Sequence, residues 1–317
     1  MSFKIVVLDG FCLNPGDLDW SPLKALGELS VYDRTPAELV QQRAQGADIL
    51  LTNKTVLGAQ QLAALPGLKY VGILATGTNV VDLQAAGDLG ITVTNVPGYG
   101  PDAVAQMVFA HLLYHTQQVA QHHQAVAAGA WSQCADFCFT LSPLMSLTGK
   151  VMGIVGYGDI GSRVANIARA MGMRVLLHTR TERHDLAEGI SWAPLEQLYR
   201  EADVISLHCP LTAATEKMIN QDSLQLLKPG VILINTARGG LVDETALATA
   251  LNQGKLRAGV DVLSSEPPMP DNPLLNAKGV SISPHNAWAT REARQKLLDI
   301  AVDNLRAFIG GDSVNQV

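Results

Sequence analysis

Short runs of apolar, largely β-branched residues recur along this chain, and between them the apolar positions switch to the three-and-four spacing of a helix. In the first hundred residues the runs are Ile5-Val6-Val7-Leu8, Ile49-Leu50-Leu51, Tyr70-Val71-Gly72-Ile73-Leu74 and Ile91-Thr92-Val93. A second series begins at Val151 and continues with the runs at 174–178, 203–208, 231–235, 258–262 and 280–283. Strands that are apolar on both faces and alternate with helices belong in parallel sheets covered by helices. Two such series within 317 residues predict an α/β protein of two domains, the second a doubly wound sheet.

Helix signals fit the same scheme. Thr35-Pro36-Ala37-Glu38 has the spacing of a capping box with proline at the first helical position, so a helix is expected to start there. Residues 101–128 form the longest helical pattern, with Val104, Met107, Val108, His111, Leu112 and His115 along one face. A helix is expected over 160–171, and another over 290–309 that returns to the first domain.

Composition narrows the functional classes. Hydrophobic residues make up 47% of the chain and charged residues 16%, enough apolar material for two cores and too little charge for a disordered polyelectrolyte. The net charge of −6 comes without runs of one sign, so neither a nucleic acid nor an anionic membrane is an expected partner. Only four apolar residues follow Lys4 before Asp9, too few for a signal peptide, and no apolar run reaches membrane-spanning length. The four cysteines, Cys12, Cys134, Cys138 and Cys209, are sparse, which predicts a reduced, cytoplasmic chain. His111 and His115 have the spacing of a metal pair but no third ligand, so a core or interface role is expected and no metal.

Gly156-Tyr157-Gly158-Asp159-Ile160-Gly161 fits G-x-G-x-x-G. The pattern gains force from its setting, because it follows the run Val151–Val155 and leads into the helical segment after Ile160. There the free N–H groups of a helix start face a pyrophosphate. Near the end of the next strand, where an acidic residue holds the ribose of NAD, this chain has Thr179-Arg180. Arginine removes repulsion against a 2′-phosphate and offers a fork to it, with Arg183 as support, which favours NADP(H). An Arg180 that only stacks on adenine leaves NAD(H) use open.

Three further signals sit past strand ends: Asn235-Thr236-Ala237-Arg238-Gly239-Gly240, Asp261-Val262-Leu263-Ser264-Ser265-Glu266-Pro267 and Ser283-Pro284-His285-Asn286-Ala287-Trp288. Behind a dinucleotide loop, these residues resemble the D-isomer-specific 2-hydroxyacid dehydrogenase family over essentially the whole chain. Leu8-Asp9-Gly10, the stretch 13–18, Thr52-Asn53-Lys54, the stretch 75–82, Asn95–Tyr99 and His285–Thr290 are most similar to its glycerate dehydrogenase, or hydroxypyruvate reductase, branch.

That resemblance implies a Rossmann dinucleotide-binding domain, residues 99–288, inserted into a flavodoxin-like substrate-binding domain, residues 1–98 with 289–317, and an active cleft that closes against water. It implies reduction of a small 2-keto acid, hydroxypyruvate or glyoxylate, to D-glycerate or glycolate, and the reverse. Arg238 would hold and polarise the substrate, His285 would donate or accept the proton, and a buried Glu266 would keep His285 charged. Backbone amides of Thr76, Gly77 and Thr78 would receive the substrate carboxylate, with Tyr99 and Asn53 as further candidates. The cofactor would meet Gly156, Gly158, Asp159, Ile160, Gly161, Thr179, Arg180, Cys209, Pro210, Thr215, Thr236, Ala237, Arg238, Asp261 and His285. Cys209 is expected to pack, not to react. A homodimer would form through residues 101–140.

Hydride transfer needs no nucleophile, and the chain has no G-x-S-x-G elbow, so hydrolase chemistry is not expected. The absence of a regulatory extension before residue 317 argues against phosphoglycerate as substrate. Two other readings stay open: a dehydrogenase of another D-2-hydroxy acid, and a dinucleotide-sensing, co-repressor-like binding protein.

Overall fold

The computed structural model describes residues 2–317, and the chain divides into two compact units. The first comprises the residues up to Gly100 together with Trp288–Val317, and the second is Pro101–Ala287.

The first unit is a five-stranded parallel sheet of β1 (Phe3–Val7), β2 (Gly27–Val31), β3 (Ile49–Thr52), β4 (Tyr70–Ile73) and β5 (Thr92–Thr94), ordered β2-β1-β3-β4-β5. This is the flavodoxin-like order. Side chains alternate between faces. Val6, Leu8, Leu50, Val71 and Ile73 enter one core, and Ile5, Val7, Ile49, Leu51 and Tyr70 enter the other. The helix Arg291–Ile309 covers the second face with Leu297, Leu298, Ala301, Val302 and Leu305, as its amphipathic spacing predicted. Thr290 caps this helix by accepting from the Ala293 N–H at 3.2 Å, and a fork from Arg294 to Asp17, 2.7 Å at each end, ties it down.

The second unit is a seven-stranded parallel sheet: β6 (Val151–Val155), β7 (Arg174–His178), β8 (Ile190–Trp192), β9 (Val204–Leu207), β10 (Ile232–Asn235), β11 (Arg257–Val260) and β12 (Val280–Ile282). The order β12-β11-β10-β9-β6-β7-β8 is the doubly wound Rossmann arrangement with one strand added, and its winding reverses between β6 and β9. Met152, Ile154, Leu177, Val204 and Ile232 pack against Ala105, Val108, Phe109 and Leu112 of the helix Pro101–Gln117. Among the described residues no helix is long and apolar enough to cross a membrane.

Three local expectations need correction. The Thr35 hydroxyl does not cap a helix. It donates to the Leu8 carbonyl at 2.5 Å and accepts from Arg43, so a 3-10 turn at Ala37–Leu39 precedes a short helix at Val40–Ala44. The long helical pattern breaks at Gln118, which adopts φ 53°, and resumes as Val119–Ala127. Strands β2 and β8 were not anticipated.

Candidate active site

The loop after β6 shows what each of its three glycines does. Gly156 has φ 96°, and an added Cβ would stand 2.7 Å from the His208 carbonyl carbon and 2.8 Å from the Cys209 nitrogen. At Gly161 a Cβ would run into the Gly156 carbonyl oxygen. The fold itself therefore demands both glycines. Gly158 is different: its backbone is extended, and a Cβ there would meet nothing within 4 Å. Its bareness leaves backbone open at the start of the helix Asp159–Ala170, which no side chain caps. Asp159 and Ile160 form the first turn, where N–H groups have no helical partner. A phosphate fits that arrangement.

A second vacancy of bonding lies at the end of β10. Thr236 is buried, yet its Oγ1 has no hydrogen-bond partner among the described residues. Buried hydroxyls are rarely left so, and a ligand hydroxyl would satisfy it. The neighbouring Asn235 braces the turn that follows, donating to the Arg238 carbonyl at 2.8 Å and accepting from the Ala237 N–H at 3.1 Å. Arg238 is exposed, with Nη1 on the Ala237 carbonyl at 2.7 Å. A Cβ on Gly239 would collide with the backbone of Leu263 and Ser264, so glycine lets the Arg238 turn lie directly on the loop that carries Glu266.

Glu266 Oε2 lies 2.5 Å from His285 Nδ1, while its Oε1 accepts from the Leu263 N–H at 3.0 Å. Each side chain of the pair is one-third exposed, so Glu266 is not the buried anion the sequence suggested; it sits in the exposed run of residues 264–271 that follows β11. His285 itself has φ 49°, a left-handed value uncommon outside glycine. Asp261 holds it there. The Asp261 carbonyl accepts from the His285 N–H at 2.8 Å, and its carboxylate accepts from Asn286 and Ala287, each at 3.0 Å. Burial raises the Asp261 pKa, against the pull of these donors and of the Ser283 hydroxyl.

The loop after β7 lines a shallow open depression of about 620 Å³ between Thr179 and Asp185. Thr179 Oγ1 donates to the Thr181 carbonyl at 2.7 Å, and Arg180 is exposed. Arg183 is committed elsewhere. It forks onto Asp185 at 3.1 and 2.8 Å and lies 5.5 Å from the centre of the Tyr157 ring. After β9, the Thr215 hydroxyl folds its own loop by donating to the Pro210 carbonyl at 2.7 Å. Cys209 Sγ lies 3.6 Å from Met218 Sδ, and burial pushes its thiol pKa up. A protonated, packed thiol suits filling and not redox chemistry.

In the first unit, Thr76, Gly77 and Thr78 follow β4. Thr76 Oγ1 donates to the Val96 carbonyl at 2.9 Å, and the Thr78 carbonyl accepts from the Val81 N–H at 3.1 Å. Asn53 is buried with its amide on the Leu74 carbonyl at 2.7 Å, so it joins strand ends instead of lining open space. Tyr99 packs edge-on to Trp288, centroids 6.0 Å apart.

Two supports escaped the sequence reading. Glu244 braces the Glu266 loop, accepting from the Ser264 N–H at 2.6 Å and the Ser264 hydroxyl at 2.8 Å. Ser283 donates to the Asp261 carboxylate at 2.5 Å. Glu244 stood in the sequence as an acidic first-turn residue after the Asp243 cap. Its reach across twenty residues had no local signal.

Against known proteins, the family model for the D-isomer specific 2-hydroxyacid dehydrogenase NAD binding domain matches residues 109–287. A hydroxypyruvate reductase of Blautia hydrogenotrophica is 48% identical over 99% of this chain and 99% of its own. A glycerate dehydrogenase of Methylorubrum extorquens is 41% identical over 89% of each. Among solved structures, an NADPH-dependent glyoxylate/hydroxypyruvate reductase of Sinorhizobium meliloti, in complex with NADP and malonate, is 32% identical with a TM-score of 0.83, covering 100% of this chain and 97% of that one.

Proposed function

Because the chain belongs to the D-isomer specific 2-hydroxyacid dehydrogenase family, we propose that it reduces hydroxypyruvate or glyoxylate to D-glycerate or glycolate, and runs the reverse, with NADPH favoured over NADH. The observation that carries this reading is the Glu266 to His285 contact of 2.5 Å on the loop adjoining the Arg238 turn. The relatives named hydroxypyruvate reductase and glycerate dehydrogenase support the choice of substrate.

A bound nicotinamide would supply the hydride. Arg238 holds the keto acid through its planar fork and polarises the carbonyl, a task that a lysine point charge performs less well. Glu266 occupies His285 Nδ1, which makes Nε2 the nitrogen that passes the proton to the forming alkoxide. The same contact orients the ring and stabilises the imidazolium. Backbone amides of Thr76–Thr78 receive the substrate carboxylate. Gly156, Gly158, Asp159, Ile160 and Gly161 cradle the pyrophosphate, Thr236 and Ala237 meet the nicotinamide ribose, and Asp261 takes the carboxamide. Cys209, Pro210 and Thr215 line the dinucleotide, Thr179 and Arg180 stand at the adenosine end, and Arg180 reads the 2′-phosphate. A homodimer through residues 101–140 would cover the exposed Trp131 and Phe137.

Initial rates of NADPH and NADH oxidation with hydroxypyruvate, glyoxylate, pyruvate and 2-ketoisocaproate test the reading. Turnover is expected on the first two, faster with NADPH, and Arg238→Ala should abolish it while leaving NADPH binding intact. Full turnover in that variant would overturn the assignment. Activity confined to the other two keto acids would move the chain to another D-2-hydroxy acid.

A further inference from the structure

The helix Pro101–Gln117 turns two histidines, one helical turn apart, onto the sheet of the second unit, and neither has a part in the chemistry above. His111 lies over β11 at Gly259, where an added Cβ would stand 2.5 Å from the His111 Cβ. Glycine there lets the ring reach the strands. Both rings are buried and both are engaged. His115 Nε2 is 2.8 Å from the Ala258 carbonyl and 3.1 Å from Ser281 Oγ. His111 Nδ1 is 2.7 Å from Ser281 Oγ, and its Nε2 is 3.0 Å from Ser283 Oγ.

The direction of each bond follows from what each atom can donate. A carbonyl only accepts, so His115 carries its proton on Nε2. Burial depresses both imidazoles to about 4, which leaves each ring neutral near pH 7 with a single N–H. Ser283 gives its only hydrogen to the Asp261 carboxylate at 2.5 Å, so Ser283 Oγ must accept from His111 Nε2–H. His111 Nδ1 is then bare and accepts the Ser281 hydroxyl. The four side chains form a one-way chain, His115 to Ser281 to His111 to Ser283, that ends on Asp261. Asp261 in turn binds three successive backbone N–H groups, those of His285, Asn286 and Ala287.

We propose that His111 is a positioning residue for proton transfer: its Nε2–H, acting through Ser283, fixes the Asp261 carboxylate that clamps the His285 loop in its left-handed conformation. The proposal rests on the reading of His285 as proton donor.

Two substitutions divide the imidazole between them. Glutamine at 111 reaches the Nε2 position and can still donate to Ser283; asparagine reaches only the Nδ1 position and its Ser281 contact. With hydroxypyruvate and NADPH, H111Q should keep kcat within about threefold of the parent, while H111N loses about tenfold or more, as loosened placement of a reacting group does. KM for hydroxypyruvate and Tm should shift alike in the two. In an S283A background the difference in kcat between them should vanish. Equal kcat for H111Q and H111N with Ser283 present, or an unchanged difference without it, overturns the proposal. The parent reading is judged separately by H285A: turnover retained there removes the proton donor, whereas a dead H285A with equal H111Q and H111N removes only the positioning role. Should H111N not fold, nitrogen NMR of the parent protein still decides. A neutral Nε2–H tautomer for His111 is expected, and an Nδ1–H tautomer or an imidazolium overturns the chain.

Discussion

Each of the two parallel sheets reverses its winding once, between β1 and β3 in the first unit and between β6 and β9 in the second, and the two crevices are finished in opposite ways. In the first, the Asp9 carboxylate lies past the end of β1 and takes the N–H groups of Asn53 at 2.7 Å, Lys54 at 2.6 Å and Thr55 at 2.7 Å. The anion that a switch point attracts is already there, supplied by the chain. In the second, Gly158 leaves backbone bare and the helix start carries no side-chain cap. Topology makes both crevices eligible for ligands, but only the one whose donors stay unspent is built to hold one.

The units also differ in acid chemistry, and this gives the largest effect that sharpens the contrast. All eight histidines fall within 101–287. His111 and His115, depressed by burial to about 4, stay neutral when folded and titrate near 6.5 when unfolded. Between those values the unfolded chain binds more protons, so stability falls as pH drops from about 6.5 to about 4. The first unit is sensitive lower down. Hydrogen bonds from the Lys4 N–H and Lys69 hold the Asp48 carboxyl below its usual range, and the Arg294 fork does so for Asp17, so their stabilisation is lost only below about 3.8. Hydrogen exchange at pH 5, corrected for intrinsic rates, should show β6–β12 opening before β1–β5. Opening in the reverse order would break the contrast.

Filling the open crevice comes next. The Cβ that Gly158→Val adds meets no protein atom within 4 Å, so Tm should hold within about 2 °C while NADPH affinity drops about 100-fold, the scale of a lost pyrophosphate contact. Unchanged affinity by fluorescence titration would mean the crevice is not the cofactor site. Emptying the filled crevice is the converse. Asp9→Ala strands three backbone donors and should cost about 2–3 kcal/mol in urea unfolding, with NADPH affinity unchanged. The smallest effect is at the rim of the open crevice, where Arg180→Ala should lower the NADPH to NADH preference by about tenfold, one charge-assisted contact's worth. An unaltered ratio would assign Arg180 to adenine stacking.

How far the sequence discloses this structure depends on the range over which its signals act. The central strands were legible because both of their faces are apolar. β2, Gly-Glu-Leu-Ser-Val, and β8, Ile-Ser-Trp, were not, because edge strands pack less and tolerate polar residues. The capping-box spacing at Thr35 was real, but the hydroxyl found a tertiary acceptor in Leu8. Arg238, Glu266 and His285 stood out by their places past strand ends, and two of the three are joined in the fold. The chain beneath them was invisible, since His111 and Ser283 are 172 residues apart and the local pattern around each carries no sign of the other.

The helix Arg291–Ile309, described above as the cover over one face of the first sheet, sets an order of events on the ribosome. Synthesis delivers β1–β5 first, yet Ile5, Val7, Ile49, Leu51 and Tyr70 share that face only with neighbours such as Leu13, Leu23 and Val96 until residues 291–309 emerge. The second sheet lies wholly between these two moments and can finish first, as domains fold as units during synthesis. The nascent chain therefore carries a partly open apolar face through the whole synthesis of the second sheet, and the helix that closes it emerges only after β12.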